Sequence, residues 1–423
     1  MKFINRAILA TTVLGTMSAS AETSGLFVNG LSGDSVYDKI WSAATLYKSD
    51  DNPVLQEFSL QGRLQLQSIY GEAGGDSFNT SDYKGNAGSA NDEKVWGNDI
   101  EVRRAYLGFK SKWFQNWKFE GQIDVDTDGH DNDTGSGTIY GDIYDLYVIY
   151  AASDALNIGF GKQEIKLSRE QEISSKEIVT FERSLVTNLL HVGNLTGVWV
   201  NGKGIQEHWL YEAGLYGANQ TREFSSLDHG ALFIGKVGYD YSAEAGLDSS
   251  IVSFRYEHNT NPGFRSSKVE GFFGNPTSPA FTDAVALSND IVQGRFGLTT
   301  DLLYGFGMSG TADQLGTDKN VNQSDVVALN IIPTYFIADG LQLVTRFQIA
   351  SSTDPNGLRA QSRYERLAAG DDESGNTYFA AYLGLNYYIY GNKLKIMNGV
   401  EYSEVGGGNY DGYTAMTGLR MAF

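Results

Sequence analysis

The dominant period of this sequence is two. Phe58, Leu60, Gly62, Leu64 and Leu66 alternate with Ser59, Gln61, Arg63, Gln65 and Gln67. Trp117, Phe119, Gly121, Ile123 and Val125 alternate in the same way with Lys118, Glu120, Gln122, Asp124 and Asp126. At the end of the chain, Tyr413, Ala415, Thr417, Leu419, Met421 and Phe423 alternate with Thr414, Met416, Gly418, Arg420 and Ala422. Successive side chains of a strand point to opposite faces, so each run separates an apolar face from a more polar one. The pattern predicts strands near 55–70, 100–110, 116–126, 142–150, 156–163, 195–203, 207–219, 231–241, 249–259, 289–298, 300–310, 325–336, 341–351, 377–389, 394–404 and 412–423. Many match the ~9–11 residues that a tilted strand needs to cross a bilayer. Helical spacing is confined to Tyr37–Tyr47 and Glu170–Leu190.

The connections alternate in length. Long ones span 71–99, 127–141, 164–194, 220–230, 260–289, 311–324 and 352–376, while 111–115, 151–155, 204–206, 242–248, 337–340 and 390–393 are brief. A soluble sandwich has no reason to sort its loops by parity. An up-and-down barrel inserted from one side does, with short periplasmic turns and longer external loops. The polar faces carry full charges at mid-strand: Arg63, Lys118, Glu120, Asp124, Arg255, Arg346 and Arg420. Charges are costly against lipid, so this face belongs to a watery interior. Tyr70, Trp117, Tyr150, Trp209, Tyr387 and Tyr402 lie near strand ends, as aromatic girdles do. The expected fold is therefore all-β: a transmembrane antiparallel up-and-down barrel of about 16 strands over residues 54–423, in a Gram-negative-type outer membrane.

Residues 1–21 read as a secretory signal peptide. Lys2 and Arg6 precede the apolar stretch Ala7–Met17, and Ala19-Ser20-Ala21 is a small-residue cleavage site. Residues 22–53 are then expected to form a periplasmic N-terminal segment with a short helix. Removing Lys2 and Arg6 takes the formal charge from −19 to −21, which argues against a nucleic-acid partner. The chain has no cysteine, which excludes disulfides, zinc fingers and a Cys nucleophile. His130, His191, His208, His229 and His258 are scattered without metal-ligand spacing, and no G-x-S-x-G elbow occurs. Asp124-Val125-Asp126-Thr127-Asp128-Gly129 begins like a calcium loop, but Gly135 stands where a bidentate Glu is needed. Gly305-Phe306-Gly307-Met308-Ser309-Gly310 matches G-x-G-x-x-G without a helix to follow it. Neither enzyme chemistry nor a cofactor or metal is expected.

Arg103-Arg104-Ala105-Tyr106-Leu107-Gly108-Phe109-Lys110, followed by Trp117-Lys118-Phe119-Glu120-Gly121-Gln122-Ile123-Asp124, resembles the second and third strands of phosphate-selective porins O and P. Gly159-Phe160-Gly161-Lys162-Gln163-Glu164, leading to Thr180-Phe181-Glu182-Arg183-Ser184-Leu185, is similar to that family's fifth strand and the loop that folds into the pore. The terminal Phe423 resembles an outer-membrane barrel signal. The resemblance covers about residues 55–205 and the C-terminus. It implies a homotrimeric, water-filled channel for anions, with outer-membrane lipid and small ionic solutes as partners.

One departure from that family is the acidic total. Charges assigned to the interior are Arg63, Arg104, Lys110, Lys118, Lys203, Lys236, Arg255, Arg295, Arg346, Lys395 and Arg420, against Glu120, Asp124, Asp126, Asp145, Glu212, Asp240, Glu257 and Glu401. The acidic excess falls in loops, at positions such as Asp76, Asp82, Asp92, Glu93, Asp371 and Asp372. Loop 164–194 carries Lys166, Arg169, Lys176 and Arg183 among five glutamates and is the expected constriction. The competing reading makes it a solvated external helix with pairs such as Glu172–Lys176. The expected pore-lining, anion-contacting residues are Arg63, Arg104, Lys118, Lys166, Arg169, Arg183, Arg255 and Arg346. A structural or surface-interaction barrel with cation-binding acidic loops is the alternative, and an outer-membrane hydrolase a more distant one.

Overall fold

The structure, a computed structural model, describes residues 35–74, 94–125, 140–206, 208–262, 281–306, 325–353, 355, 357–360, 365, 374–407 and 409–423. Sixteen antiparallel strands close into a ring. The first eight are β1 (Leu55–Gly74), β2 (Lys94–Trp113), β3 (Trp117–Val125), β4 (Tyr140–Ser153), β5 (Leu156–Glu164), β6 (Asn194–Ile205), β7 (Trp209–Gly217) and β8 (Ala231–Asp240). They continue as β9 (Ser249–Asn259), β10 (Asp283–Gln293), β11 (Phe296–Phe306), β12 (Val326–Ala338), β13 (Leu341–Ser352), β14 (Thr377–Tyr390), β15 (Leu394–Gly406) and β16 (Asn409–Ala422). Each strand pairs with its chain neighbours. β16 returns to β1 in a register running from Gly412 opposite Ala73 to Ala422 opposite Arg63. Closure leaves no edge, so backbone groups of the wall are satisfied within it.

The two faces are inverted relative to a soluble protein. Phe119, Phe160, Phe254, Leu302, Phe347 and Leu383 are exposed on the outside, while Gln65, Gln67, Asn330, Gln348, Asn386 and Arg420 are buried on the inside. Only a lipid surround makes the outer face favourable. Small residues let large ones lie flat against the inner wall. A Cβ on Gly159 would stand 2.1 Å from the Trp199 ring, so only glycine fits beneath it.

Short turns join the strands at the end that carries the chain termini. Several hold a left-handed residue, such as Gln115 (φ 68°), Gly294 (φ 56°), Gly340 (φ 73°) and Gly391 (φ 53°). Long connections lie at the other end, except between β15 and β16, where only 407–408 intervene. Before the barrel come the helix α1 (Val36–Ser42), opened by a Ser35/Asp38 capping box, and the short strand Thr45–Lys48, which pairs with β1.

Three expectations need correction. The strands expected at 289–298 and 300–310 are β10 and β11, and the break falls at Gly294–Arg295. Ala284 and Ala286 face inward on β10, so the period-two contrast that marks other strands vanishes there. Arg295, assigned to the interior, instead sits in that turn, half-exposed and paired with Asp339. The helix expected over Tyr37–Tyr47 ends at Ser42, because Thr45–Lys48 pairs with β1 instead. The signal peptide, Asp126, the acids Asp76, Asp82, Asp92, Glu93, Asp371 and Asp372, and most of both discounted motifs lie outside the described residues.

Candidate pore constriction

Residues 165–193, between β5 and β6, turn into the barrel instead of rising above it. Their sequence explains why. Leu167, Leu185, Val186, Leu189 and Leu190 would face water on an external loop. Inside, they pack in one cluster with Ala284 and Ala286 of β10, Leu303 of β11, Ala328 of β12, Ala350 of β13 and Ala380 of β14. Inward alanines leave a shallow groove that accepts leucines, each worth about 1.5–3 kcal/mol when fully buried. Phe181 seats itself beside Ile332, Val344, Tyr382 and Met397. Ile165 and Val192 join Tyr147, Trp199 and Tyr216 on the opposite wall.

Two short helical turns set the path. In α2 (Arg169–Glu172), the Ser168 hydroxyl accepts from the Gln171 amide, and the Asp301 carboxylate accepts from the Arg169 and Glu170 amides at 2.7 and 3.0 Å. In α3 (Leu185–Leu189), the Ser184 hydroxyl accepts from the Thr187 amide while Ser184 donates to Glu170. These caps satisfy amides that would otherwise be orphaned in the interior.

Charge then fastens the loop. Glu182 meets Arg103 at 2.5 Å and Arg104 at 3.5 Å. Arg346 bridges Glu170 at 3.3 Å and Glu401 at 2.7 Å, and donates to the Glu182 carbonyl at 2.6 Å. Glu172 collects Arg255, Lys236 and Arg169, and Arg169 also reaches Asp290 at 3.0 Å. Arg183 lies 3.5 Å from Glu164. Loop carbonyls accept from Lys395 (Ile178, 2.7 Å), Asn386 (Val179, 2.7 Å) and Arg420 (Phe181, 3.2 Å). Burial alone would raise the Glu182 carboxyl, but Arg103, Arg104 and Arg420 outweigh it and hold the group well below the usual carboxylate range. Burial likewise works against the charged Glu172, and Arg255, Lys236 and Arg169 overcome it. His191, 3.6 Å from Glu164, is pushed down to about 4 by burial and is neutral at pH 7.

The eight expected pore residues differ in their surroundings. Arg104, Arg169, Arg183, Arg255 and Arg346 each have a carboxylate partner, and the last four are at most a tenth exposed. Lys118 is half-buried on β3, opposite Lys112. Lys166 opens the loop, half-buried, in the electrostatic reach of Asp145 and Glu212. Arg63 has no carboxylate partner among the described residues. Its guanidinium donates to the Ser175 hydroxyl and to Gln122 at 3.0 Å, and lies over the rings of Tyr106 (4.7 Å) and Tyr144 (5.4 Å).

Sequence parity missed two residues here. A bulge in β2 sets Gln65 opposite Arg104 and Leu66 opposite Val102, so the extra residue Arg103 also reaches the interior. Another in β4 pairs Asp145 with Gln122 and Ile143 with Ile123, which places Tyr144 against Tyr106 at 4.5 Å. Two adjacent side chains on one face is what a bulge produces and a strict period of two cannot show. Lys176 completes the region. Burial, followed by its neighbours Arg63 and Lys110, pushes its ammonium down to about 7, against the opposing pull of Glu120 and Glu177.

Comparison with known proteins agrees with this architecture. Among solved structures the chain is similar to the outer membrane channel DcaP of Acinetobacter baumannii, at 15% identity over 89% of this chain and 99% of that one, with a TM-score of 0.51. Salmonella typhi OmpF, solved with daunomycin, gives 13% identity over 90% and 100%, TM-score 0.56. Outer-membrane expressed OmpT of Vibrio cholerae gives 10% identity over 89% and 100%, TM-score 0.52. At these identities the likeness is one of fold. No curated protein matches the sequence. The family model for phosphate-selective porin O and P matches residues 76–407, most of the barrel. An inside-out, closed sixteen-stranded ring with an infolded loop, matched over that length, belongs to the phosphate-selective porin O and P family: this chain is a non-enzymatic channel of the outer membrane.

Proposed function

We propose that the channel passes small hydrophilic solutes by passive diffusion and prefers anions, including phosphate-like ones. The observation that carries this is Arg63: an inward guanidinium, 7% exposed, without an acid partner among the described residues and adjacent to the tip of the infolded loop at Ser175. Lys176 and Lys110 lie at the same place, with Glu120 and Glu177 opposing them. A charge at a narrow point acts over roughly a Debye length, about 8 Å at physiological salt, so charges at the constriction weigh most in ion preference. In this reading Arg63, Lys166 and Lys176 contact the permeant ion, with Lys118 further toward the periplasm. Arg104, Arg169, Arg183, Arg255 and Arg346 hold the loop in place.

A homotrimer is part of the proposal, and in-vitro-folded OmpT of Vibrio cholerae, a neighbour at TM-score 0.50, has a trimer form. Cleavage after Ala21 and export precede assembly. The test is reconstitution of the mature protein in a planar bilayer under a salt gradient. A reversal potential of the sign set by anion flow is the expected result. A cation-sided potential would overturn the preference, and absence of conductance would overturn the passive-diffusion reading.

A further inference from the structure

The register of the last strands shows where α1 sits. Lys395 is inward and fully buried, so its neighbour Leu394 points outward, as does Ile396 at 37% exposed. A bulge between Tyr388 and Tyr390 sets Tyr390 directly opposite Leu394, and Leu394 is opposite Met421. Directly opposed residues share a face, so Tyr390 also points outward. The Tyr37 ring stacks on Tyr390 at 5.5 Å, and Trp41 lies 5.2 Å from it. The Tyr390 hydroxyl donates to Asp38, and the Trp41 indole donates to the Ala422 carbonyl at 2.5 Å. The helix is thus fixed to the outside of the barrel wall, at its periplasmic rim.

Its remaining surface pairs an aliphatic face with the exposed polar residues Lys39 and Ser42. Val36 and Ile40, one helical turn apart, are 64% and 58% exposed, and Leu46 just beyond is 58% exposed. They continue the lipid-facing band immediately above, made of Tyr387, Ile396, Leu419, Leu60 and Phe423. We propose that α1 is an interfacial helix whose Val36–Ile40 face enters the periplasmic leaflet of the outer membrane, so that residues 35–48 are a membrane-seated seal over the junction of β16 and β1. The occupant is phospholipid. A helix with aromatic residues on its anchored side and aliphatic residues at its free face meets the acyl–headgroup boundary in this way. The seal follows from pairing: Thr45–Lys48 continues along β1 below the point where β16 ends, and the Ala44 carbonyl accepts from the Leu60 amide at 2.8 Å.

The chain has no cysteine, so single labels are clean. Full-length mature protein carrying Ile40→Cys, and separately Val36→Cys, is spin-labelled in phosphatidylethanolamine/phosphatidylglycerol nanodiscs. Collision with dissolved oxygen and with an aqueous nickel chelate is then compared with Leu385→Cys on the lipid band and Asp339→Cys in a periplasmic turn. An oxygen-to-nickel ratio within about two-fold of the Leu385 site supports the proposal. A ratio matching the Asp339 site overturns it. Shielding from both reagents together with spin–spin broadening means that a second copy covers this face, which also overturns it.

Discussion

Two sets of inward arginines in the same lumen stand in opposite circumstances. Arg255 of β9, Arg346 of β13 and their loop neighbour Arg169 each meet carboxylates, and Glu170 and Glu401 among these are themselves buried. Arg63 of β1 meets a hydroxyl, an amide oxygen and two tyrosine rings, with no carboxylate at ion-pair distance among the described residues. The first set is a fastening, in which charge is cancelled locally and geometry is gained. The second has no direct ion pair, and Asp145 and Glu164 act on it only at longer range. Counting inward cations treats the two sets alike, although only one of them is tied into direct ion pairs.

The largest effect is expected from breaking the fastening. Arg346→Ala would leave Glu170 and Glu401 without their shared cation in a fully buried site, a loss of about 3–5 kcal/mol. The semi-native gel band should convert to the unfolded form at lower temperature, and single-channel current should become larger and noisier as the loop loosens. Unchanged melting and quiet current would show that the pairs do not hold the loop. Leu185→Ala attacks the same fastening through packing and should cost about 2–5 kcal/mol, read as a lower denaturant midpoint in detergent.

A subtler difference, between the fastening acids and the loop lysine, is their response to pH. Glu182 and Glu172 titrate far below their usual range, so the stability they confer persists through mild acid and is lost only as pH falls through those depressed values. Lys176, lowered to about 7, behaves otherwise: charged below that pH and neutral above it. Anion preference should therefore decline as pH rises from about 6 to about 8, and Lys176→Gln should flatten the profile. A preference that instead rises over this range would assign the titration elsewhere. The smallest effect is expected from neutralising Asp76, Asp82, Asp92 and Glu93, which the sequence assigns to a loop, because salt screens charges beyond about 8 Å.

Much of this was legible in the sequence for a physical reason. Where a strand separates lipid from water, its two faces must differ, and β1, β3 and β9 announce themselves. The same argument explains the failure at β10, where Ala284 and Ala286 serve the infolded loop and erase the contrast. Loop 165–193 stood out by its length and mixed charge. Its partners did not, because they come from strands up to β16, hundreds of residues away in the chain. Arg103 and Tyr144 were hidden by bulges, and the pairing of Arg346 with Glu170 and Glu401 has no local signature.

The central claim is that acid-free cations, and not the number of inward cations, set ion preference. It is tested most directly by reversal potentials of Arg63→Gln beside the double variant Arg183→Gln/Glu164→Gln, in the same salt gradient. The first removes a cation with no carboxylate at ion-pair distance among the described residues; the second removes a cation together with its acid partner 3.5 Å away. The account predicts an anion-selective parent channel, a clear shift toward cations for Arg63→Gln, and a double variant close to the parent. An Arg63→Gln channel that keeps the parent's reversal potential, or a parent channel that already prefers cations, would contradict it.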